Sequence, residues 1–275
     1  MTAMPDDLNR DLAGFVELHR DGAVLEIRMV KPKVNAICRR FSRAMERAAL
    51  HLQNDPGLSV GILSSGSDRA FSAGLDFNEA TAGAEDRGPG AEAGGFGGIT
   101  TLWALKKPLI AAINAPAVGG GLELALACDI LVMAEDTFLQ LPEMERGLLP
   151  DGGGLQRLPR RIPWHVATAM IWTGAPMTAS EALRWGLVHR TAPREGLMDL
   201  ARETAALVAR GAPLALQALK ETLRVVDGMT DREAMTLRAD TEGDLEQYRR
   251  MLASDDMIEG QRAFLERRAP RWSGR

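Results

Sequence analysis

Apolar and polar positions run along this chain in two registers. Near the start, FVELHRDGAVLEIRM sets two β-prone runs on either side of Asp21-Gly22, a dipeptide that supplies the positive φ of a tight hairpin. The period then lengthens, and in RRFSRAMERAALHLQND the residues Met45, Ala49 and Leu52 recur at helical spacing as one stripe. LSVGILSS follows, short and apolar enough for a buried parallel strand. LIAAIN (109–114) and DILVMAE (129–135) repeat that pattern, with the helical run LELALA between them. Strand, helix, strand at this spacing predicts βαβ units with right-handed crossovers. Residues 80–98, ATAGAEDRGPGAEAGGFGG, are rich in Ala and Gly and read as a mobile loop of the kind that covers sites. From about residue 175 the pattern turns helical. TASEALRWG offers Thr178 or Ser180 as a cap, and amphipathic runs cover 196–210, 213–226, 231–252 and 256–268. The expectation is an α/β body, residues 1–195, followed by a helical region, residues 196–275.

Composition adds exclusions. Hydrophobic residues make up 45% and charged residues 25% of 275, the ordinary balance of a globular protein with a sizeable core. A formal charge of -4 and a pI near 5.7 give no general attraction to nucleic acid or anionic lipid. Cys38 and Cys128, the only cysteines, have no metal-like spacing and read as reduced thiols of a cytoplasmic protein. The N-terminus lacks an apolar h-region, and no stretch approaches the roughly 18 apolar residues of a membrane span. His19, His51, His165 and His189 form no i, i+4 pair, so neither a zinc site nor a Ser-His-Asp triad is suggested.

Chemistry gathers in three segments. AFSAGLDF (70–77) follows one strand, and NAPAVGGGLELALACD (114–129) follows another and enters a helix. Gly119, Gly120 and Gly121 let the backbone approach a ligand while the helix start offers free N–H groups. Gly74 leaves the N–H of Leu75 available in the same way, and two such donors, if they converge, make an oxyanion hole. The spacing matches neither GxGxxG nor GxxxxGK[ST], which speaks against a nucleotide-phosphate cradle. Taken alone, each glycine cluster reads more readily as a crowded strand-to-helix turn than as a site. In the third segment, PEMERGLLPDGGG (142–154), Glu143 follows an apolar run and is held by Pro142. Glu123 sits between Leu122 and Leu124. Neither acid occupies an obviously solvated face, so burial or a shared pocket would perturb them. Glu145, beside Arg146, reads as a solvated residue.

Together these segments resemble the crotonase, or enoyl-CoA hydratase/isomerase, superfamily over nearly the whole chain, from KPKVNA (31–36) to the last helix. LPEMERGLLPDGGGLQRLP, EALRWGLVHR, GGFGGITTLWALKKPLIAAIN and SDDMIEGQRAFLERRAPRWSGR look most like its carnitinyl-CoA dehydratase (crotonobetainyl-CoA hydratase) branch. The resemblance implies a crotonase-like ββα spiral core whose C-terminal helices build a homotrimer or a dimer of trimers. It implies reversible hydration of an α,β-unsaturated acyl-CoA, with no permanently bound cofactor or metal and coenzyme A arriving as part of the thioester substrate. The amides of Leu75 and Gly120 would bind the thioester carbonyl, Glu123 would activate water and Glu143 would exchange the α-proton. For the CoA handle it implies the backbone at Ala73 and Leu75 around adenine, Arg69 near the phosphates, and Phe264 and Arg267 reaching a neighbouring subunit's CoA. Asp151 stays open between an N-cap for the helix that GGGLQRL begins and a wall of the acyl pocket meeting a trimethylammonium tail. Trp103 is a candidate aromatic face for such a cation, against a core or interface role. Ala115 stands where the family usually has Gly. A thioester hydrolase, a double-bond isomerase and a CoA- or RNA-binding scaffold are the competing readings.

Overall fold

The computed structural model describes residues 6–78, 93–237 and 245–275. Most of the loop read as mobile, residues 80–92, lies outside the described residues. After a short helix α1 (Asp6–Leu12), strands β1 (Val16–Asp21) and β2 (Val24–Met29) form the predicted antiparallel hairpin, with Gly22 at φ +56°. Helix α2 (Arg39–Asn54) follows; the Cys38 sulfur accepts the Phe41 N–H at its start, and Phe41, Met45, Ala49 and Leu52 are fully buried. The main sheet then gains β3 (Val60–Ser65), β4 (Leu109–Ile113), β6 (Ile130–Ala134) and β9 (Arg190–Ala192), in the order β1-β2-β3-β4-β6-β9. All pairs beyond the hairpin are parallel.

The unbroken apolar runs of β3, β4 and β6 are explained by cover on both faces. Leu63, Ala111, Ile113, Leu131 and Met133 join the core on the α2 side. Their alternates Val60, Ile62, Ile110, Ala112, Val132 and Ala134 pack with Leu197, Leu200, Ala201 and Ala205 of α7 (Leu197–Ala209). A second, three-stranded sheet joins β5 (Ala117–Val118), β7 (Phe138–Gln140) and β8 (Met177–Thr178). Between β5 and β6 runs α3 (Gly120–Leu126), and beyond β7 come α4 (Gly154–Arg161) and α5 (Trp164–Thr173).

Two expectations are corrected. The chain beyond residue 175 is not all helix, because Met177–Thr178 and Arg190–Ala192 each find a sheet edge; strands that short carry no readable alternation. Between them α6 (Ala179–Arg184) begins at Thr178 with a full capping box. The run 231–252 is not one helix either. It starts as α9 (Asp231–Ala234) and resumes as α10 (Glu246–Leu252). The Thr236 hydroxyl donates to the Glu233 carbonyl at 2.7 Å, diverting a group the ladder needs.

Helix α8 (Pro213–Val226) is fastened to the body by a buried ionic joint. Lys220 Nζ donates to Asp129 Oδ2 at 2.6 Å and to the Lys107 carbonyl at 3.0 Å, while the same Asp129 oxygen accepts the Leu109 N–H at 2.7 Å. Arg224 Nη1 adds a bond to the Leu105 carbonyl at 2.9 Å. Burial lowers the Lys220 pKa, with Asp129 opposing it. Lys220→Met should strand Asp129 and cost about 2 kcal/mol, below the usual range for a broken buried pair because Asp129 is partly exposed. A thermal melt that does not move would contradict the joint's structural weight.

Candidate active site

Two turns meet at the edge of the sheets. In the first, the Ser72 hydroxyl donates to the Asn35 carbonyl at 2.8 Å and accepts the Gly74 N–H at 3.2 Å, while Phe71 N–H and Val118 N–H stitch the segment to residues 116–118. The second is Gly119–Gly121, opening α3. Gly74 sits at φ +79°, and a Cβ there would lie 2.8 Å from both Gly120 N and Val118 O. A Cβ on Gly121 would overlap the Ser72 carbonyl. Glycine is required at these places because backbone touches backbone. The amides of Leu75 and Gly120, on adjoining turns, donate to no acceptor among the described residues.

Glu123 rises from the first turn of α3, is 4% exposed, and accepts the Gly154 N–H on Oε1 at 2.9 Å. Burial pushes its pKa up to about 7, helped by the charges of Glu143 and Asp151 and opposed by the Gly154 and Gly152 amides. Glu143 opens a 3-10 turn after Pro142. Its Oε2 is buried with no hydrogen-bond partner, and a Cβ on Gly119 would lie 2.8 Å from its Oε1. Burial raises this carboxyl as well, while Arg146, itself held by the Pro142 carbonyl at 2.7 Å, opposes the shift. Burial, with the charge of Asp151, thus raises both carboxyls.

A cleft of about 2150 Å³ gathers Ala73, Leu75, Gly120, Glu123, Glu143 and Asp151 on its wall. Asp151 lines it as an exposed side chain and does not cap α4. The cap position is Gly153, at φ +125°, with no side-chain bond, which corrects the capping alternative. Arg69 is exposed and absent from the cleft wall, as are Phe264, 83% exposed, and Arg267, exposed just past α11 (Asp255–Leu265). Trp103 borders the cleft at 60% exposure, which corrects a core role, and the Arg224 guanidinium lies 5.6 Å from its ring centroid. Glu145 is exposed, 4.0 Å from Arg146. Ala115 is buried without positive φ, so this backbone needs no glycine there.

Sequence reasoning missed three wall residues. The Phe96 ring lies where a Cβ on Gly120 would be, and it also faces Gly152. Arg146 stands beside Glu143. Arg157 reaches back from α4 across Gly153, and the only sequence signal for it is the i, i+4 spacing to a glycine run. Among the described residues no group of three His, Cys, Asp or Glu could hold a metal, and no helix is long and apolar enough to cross a membrane.

Comparisons with known proteins match the chain over most of its length. The profile of the enoyl-CoA hydratase/isomerase family matches residues 19–275. A carnitinyl-CoA dehydratase from Salmonella typhi is 45% identical over 262 residues, 94% of this chain and 98% of its own. A solved enoyl-CoA hydratase from Mycobacterium tuberculosis H37Rv superposes with a TM-score of 0.83 at 36% identity, over 95% of this chain and all of that one. One from Mycobacterium marinum gives 0.84 at 35%, with 95% and 100% covered.

The raised Glu123 pKa carries a sign that stability can check. The folded state holds this proton up to about pH 7, whereas an unfolded Glu releases it near 4.3, so folding stability declines as pH climbs between those values. Glu123→Gln should melt higher than the wild type at pH 8, by on the order of 1–3 kcal/mol, and alike at pH 4. Equal melting at both pH values would mean that the carboxyl titrates normally.

Proposed function

The chain belongs to the enoyl-CoA hydratase/isomerase family, and from that premise we propose that it adds water reversibly to an α,β-unsaturated acyl-CoA, with crotonobetainyl-CoA and carnitinyl-CoA as the substrate pair. It is an enzyme, a lyase of the hydratase type. The observation that carries the finer reading is a pair of carboxyls with raised pKa in one cleft beside two unengaged amides. The dehydratase named above supports the acyl group.

In this reading the Leu75 and Gly120 amides receive the thioester oxygen, which makes the β-carbon electrophilic and stabilises charge on the enolate-like oxygen, about 3 kcal/mol of barrier per donor. Water lies between the acids. In hydration, Glu123 takes a water proton as the oxygen bonds to the β-carbon, and Glu143 delivers a proton to the α-carbon. Dehydration reverses both transfers. The pair is active while it holds one proton, and desolvation keeps that proton mainly on Glu123. That tautomer is the one dehydration starts from, with Glu143 as base and Glu123 as acid to the departing hydroxyl. Hydration starts from the less populated one. Asp151 on the same wall would face the cationic tail of a trimethylammonium substrate. No permanently bound cofactor is required, because coenzyme A comes with the substrate. The region 196–275 would supply trimer contacts in a cytoplasmic protein, with Phe264 and Arg267 offered to a neighbouring subunit's CoA and Ala73 and Arg69 to the chain's own.

Replacing Glu123 or Glu143 by Gln should leave the fold intact and lower crotonobetainyl-CoA hydration by about 10³-fold, the range of one general acid–base group; normal turnover in either variant rejects the pair. Above about pH 7 the pair loses its remaining proton, so kcat/KM should fall about tenfold per pH unit. Release of free thiol during turnover would replace the hydratase with a thioester hydrolase. Asp151→Ala should erode the preference for crotonobetainyl-CoA over crotonyl-CoA by about tenfold, one lost charge contact; an unchanged ratio removes Asp151 from recognition.

A further inference from the structure

We propose that Arg157 is a positioning residue for this reaction: its guanidinium clamps the Gly152–Gly154 turn to the Thr100 carbonyl and places a positive charge behind Glu123. Arg157 lies in the first turns of α4, and its side chain folds back instead of pointing to solvent. Nη2 donates to the Thr100 carbonyl at 2.5 Å. Nη1 lies so close over Gly153 that a Cβ there would overlap it, at a backbone angle of φ +125° that side chains avoid. The neighbouring glycines hold Glu123. A Cβ on Gly152 would lie 2.7 Å from its Oε2, and Gly154 donates to its Oε1. The cation and the carboxyl therefore lie against successive residues of one turn.

The other end of the clamp reaches the oxyanion side. Thr100 Oγ1 donates to the Phe96 carbonyl at 2.7 Å, and the Phe96 ring covers Gly120 and Gly152. Fixing Thr100 thus fixes the ring that packs against Gly120 and against Gly152, in the turn that receives the Glu123 carboxyl.

The charges around the pair define the electrostatic effect. Arg157 is opposed by burial, by Arg161 and by Arg224, and is favoured by Glu123 and by the buried Cys128. Glu123 faces Glu143 and Asp151 on the cleft side. Among these groups Glu123 is the carboxylate that favours the Arg157 cation.

This inference rests on the assignment of Glu123 proposed above, and its test separates the two. The measurement is kcat/KM for crotonyl-CoA against pH, using the full chain. Arg157→Gln should move the alkaline limb upward by about half a pH unit or more, since a carboxyl that loses a nearby cation holds its proton longer. Its kcat should fall at least about tenfold with KM within about threefold. Arg157→Lys keeps the charge without the fork, and should leave the limb in place and recover part of kcat. A limb unmoved in Arg157→Gln, or moved equally in Arg157→Lys, overturns the proposal. Should Arg157→Gln fail to fold, Gly153→Ala displaces the guanidinium with a methyl group and must shift the limb in the same direction; no shift overturns it as well. An active Glu123→Gln defeats the functional assignment itself, whereas an inactive Glu123→Gln with an immobile limb in Arg157→Gln defeats only the role of Arg157.

Discussion

The architecture depends on two stretches of main chain approaching until no side chain fits between them. Gly74 and Gly120 meet where a single added carbon would strike an amide nitrogen and a carbonyl. That contact brings an N–H from each turn to one cleft, and it dictates what surrounds it. Ser72 and Asn35 absorb the polar groups of the first turn, the small sheet anchors the second through the Gly119 N–H to the Gln140 carbonyl, and Phe96 covers the join. Donors left without partners cost stability, a cost that the proposed binding of a substrate oxygen would offset.

The acids stand beside the same glycine turn. Glu123 is buried deeply enough to resist ionisation, yet it is not abandoned, because Gly154 gives it one hydrogen bond. Glu143 has a buried oxygen with none. In the reaction proposed above, that difference in burial would keep a proton mainly on Glu123. The Gly152–Gly154 run makes this possible by letting the chain pass within contact distance of the Glu123 carboxyl.

Much of the fold was legible because its signals are strong and local. Asp21-Gly22 announced the hairpin, and the apolar runs at 60–65, 109–113 and 130–134 announced strands covered on both faces. What escaped was decided by tertiary contacts. Arg190–Ala192 becomes a strand only because β6 leaves an edge for it. After Ala234 the backbone bonds shorten to i, i+3, Thr236 N–H to the Glu233 carbonyl and Leu237 N–H to the Ala234 carbonyl, the tightening of a helix end. Asp151 carries the chemistry of a helix cap, but Gly153 takes the cap position and leaves the acid to the cleft. The candidate site divides in the same way. Spacing marked the glycine turns, while the association of Glu123 with Glu143, distant in sequence, came from resemblance to a family. Arg157 sits in QRLPRR, a string that reads as solvated surface; only the folded chain shows its side chain turned inward.

The stacking of Arg224 on Trp103 constrains how this cleft could treat a positively charged guest. The indole already has a cation 5.6 Å from its centroid, so a second one approaching the same ring meets like-charge repulsion. Attraction would then fall to carboxylates of the cleft wall, the exposed Asp151 among them. A contact of that kind is screened by dissolved ions far more than an aromatic cage would be. Discrimination between charged and neutral tails, under the proposed role of Asp151, would accordingly weaken as ionic strength rises.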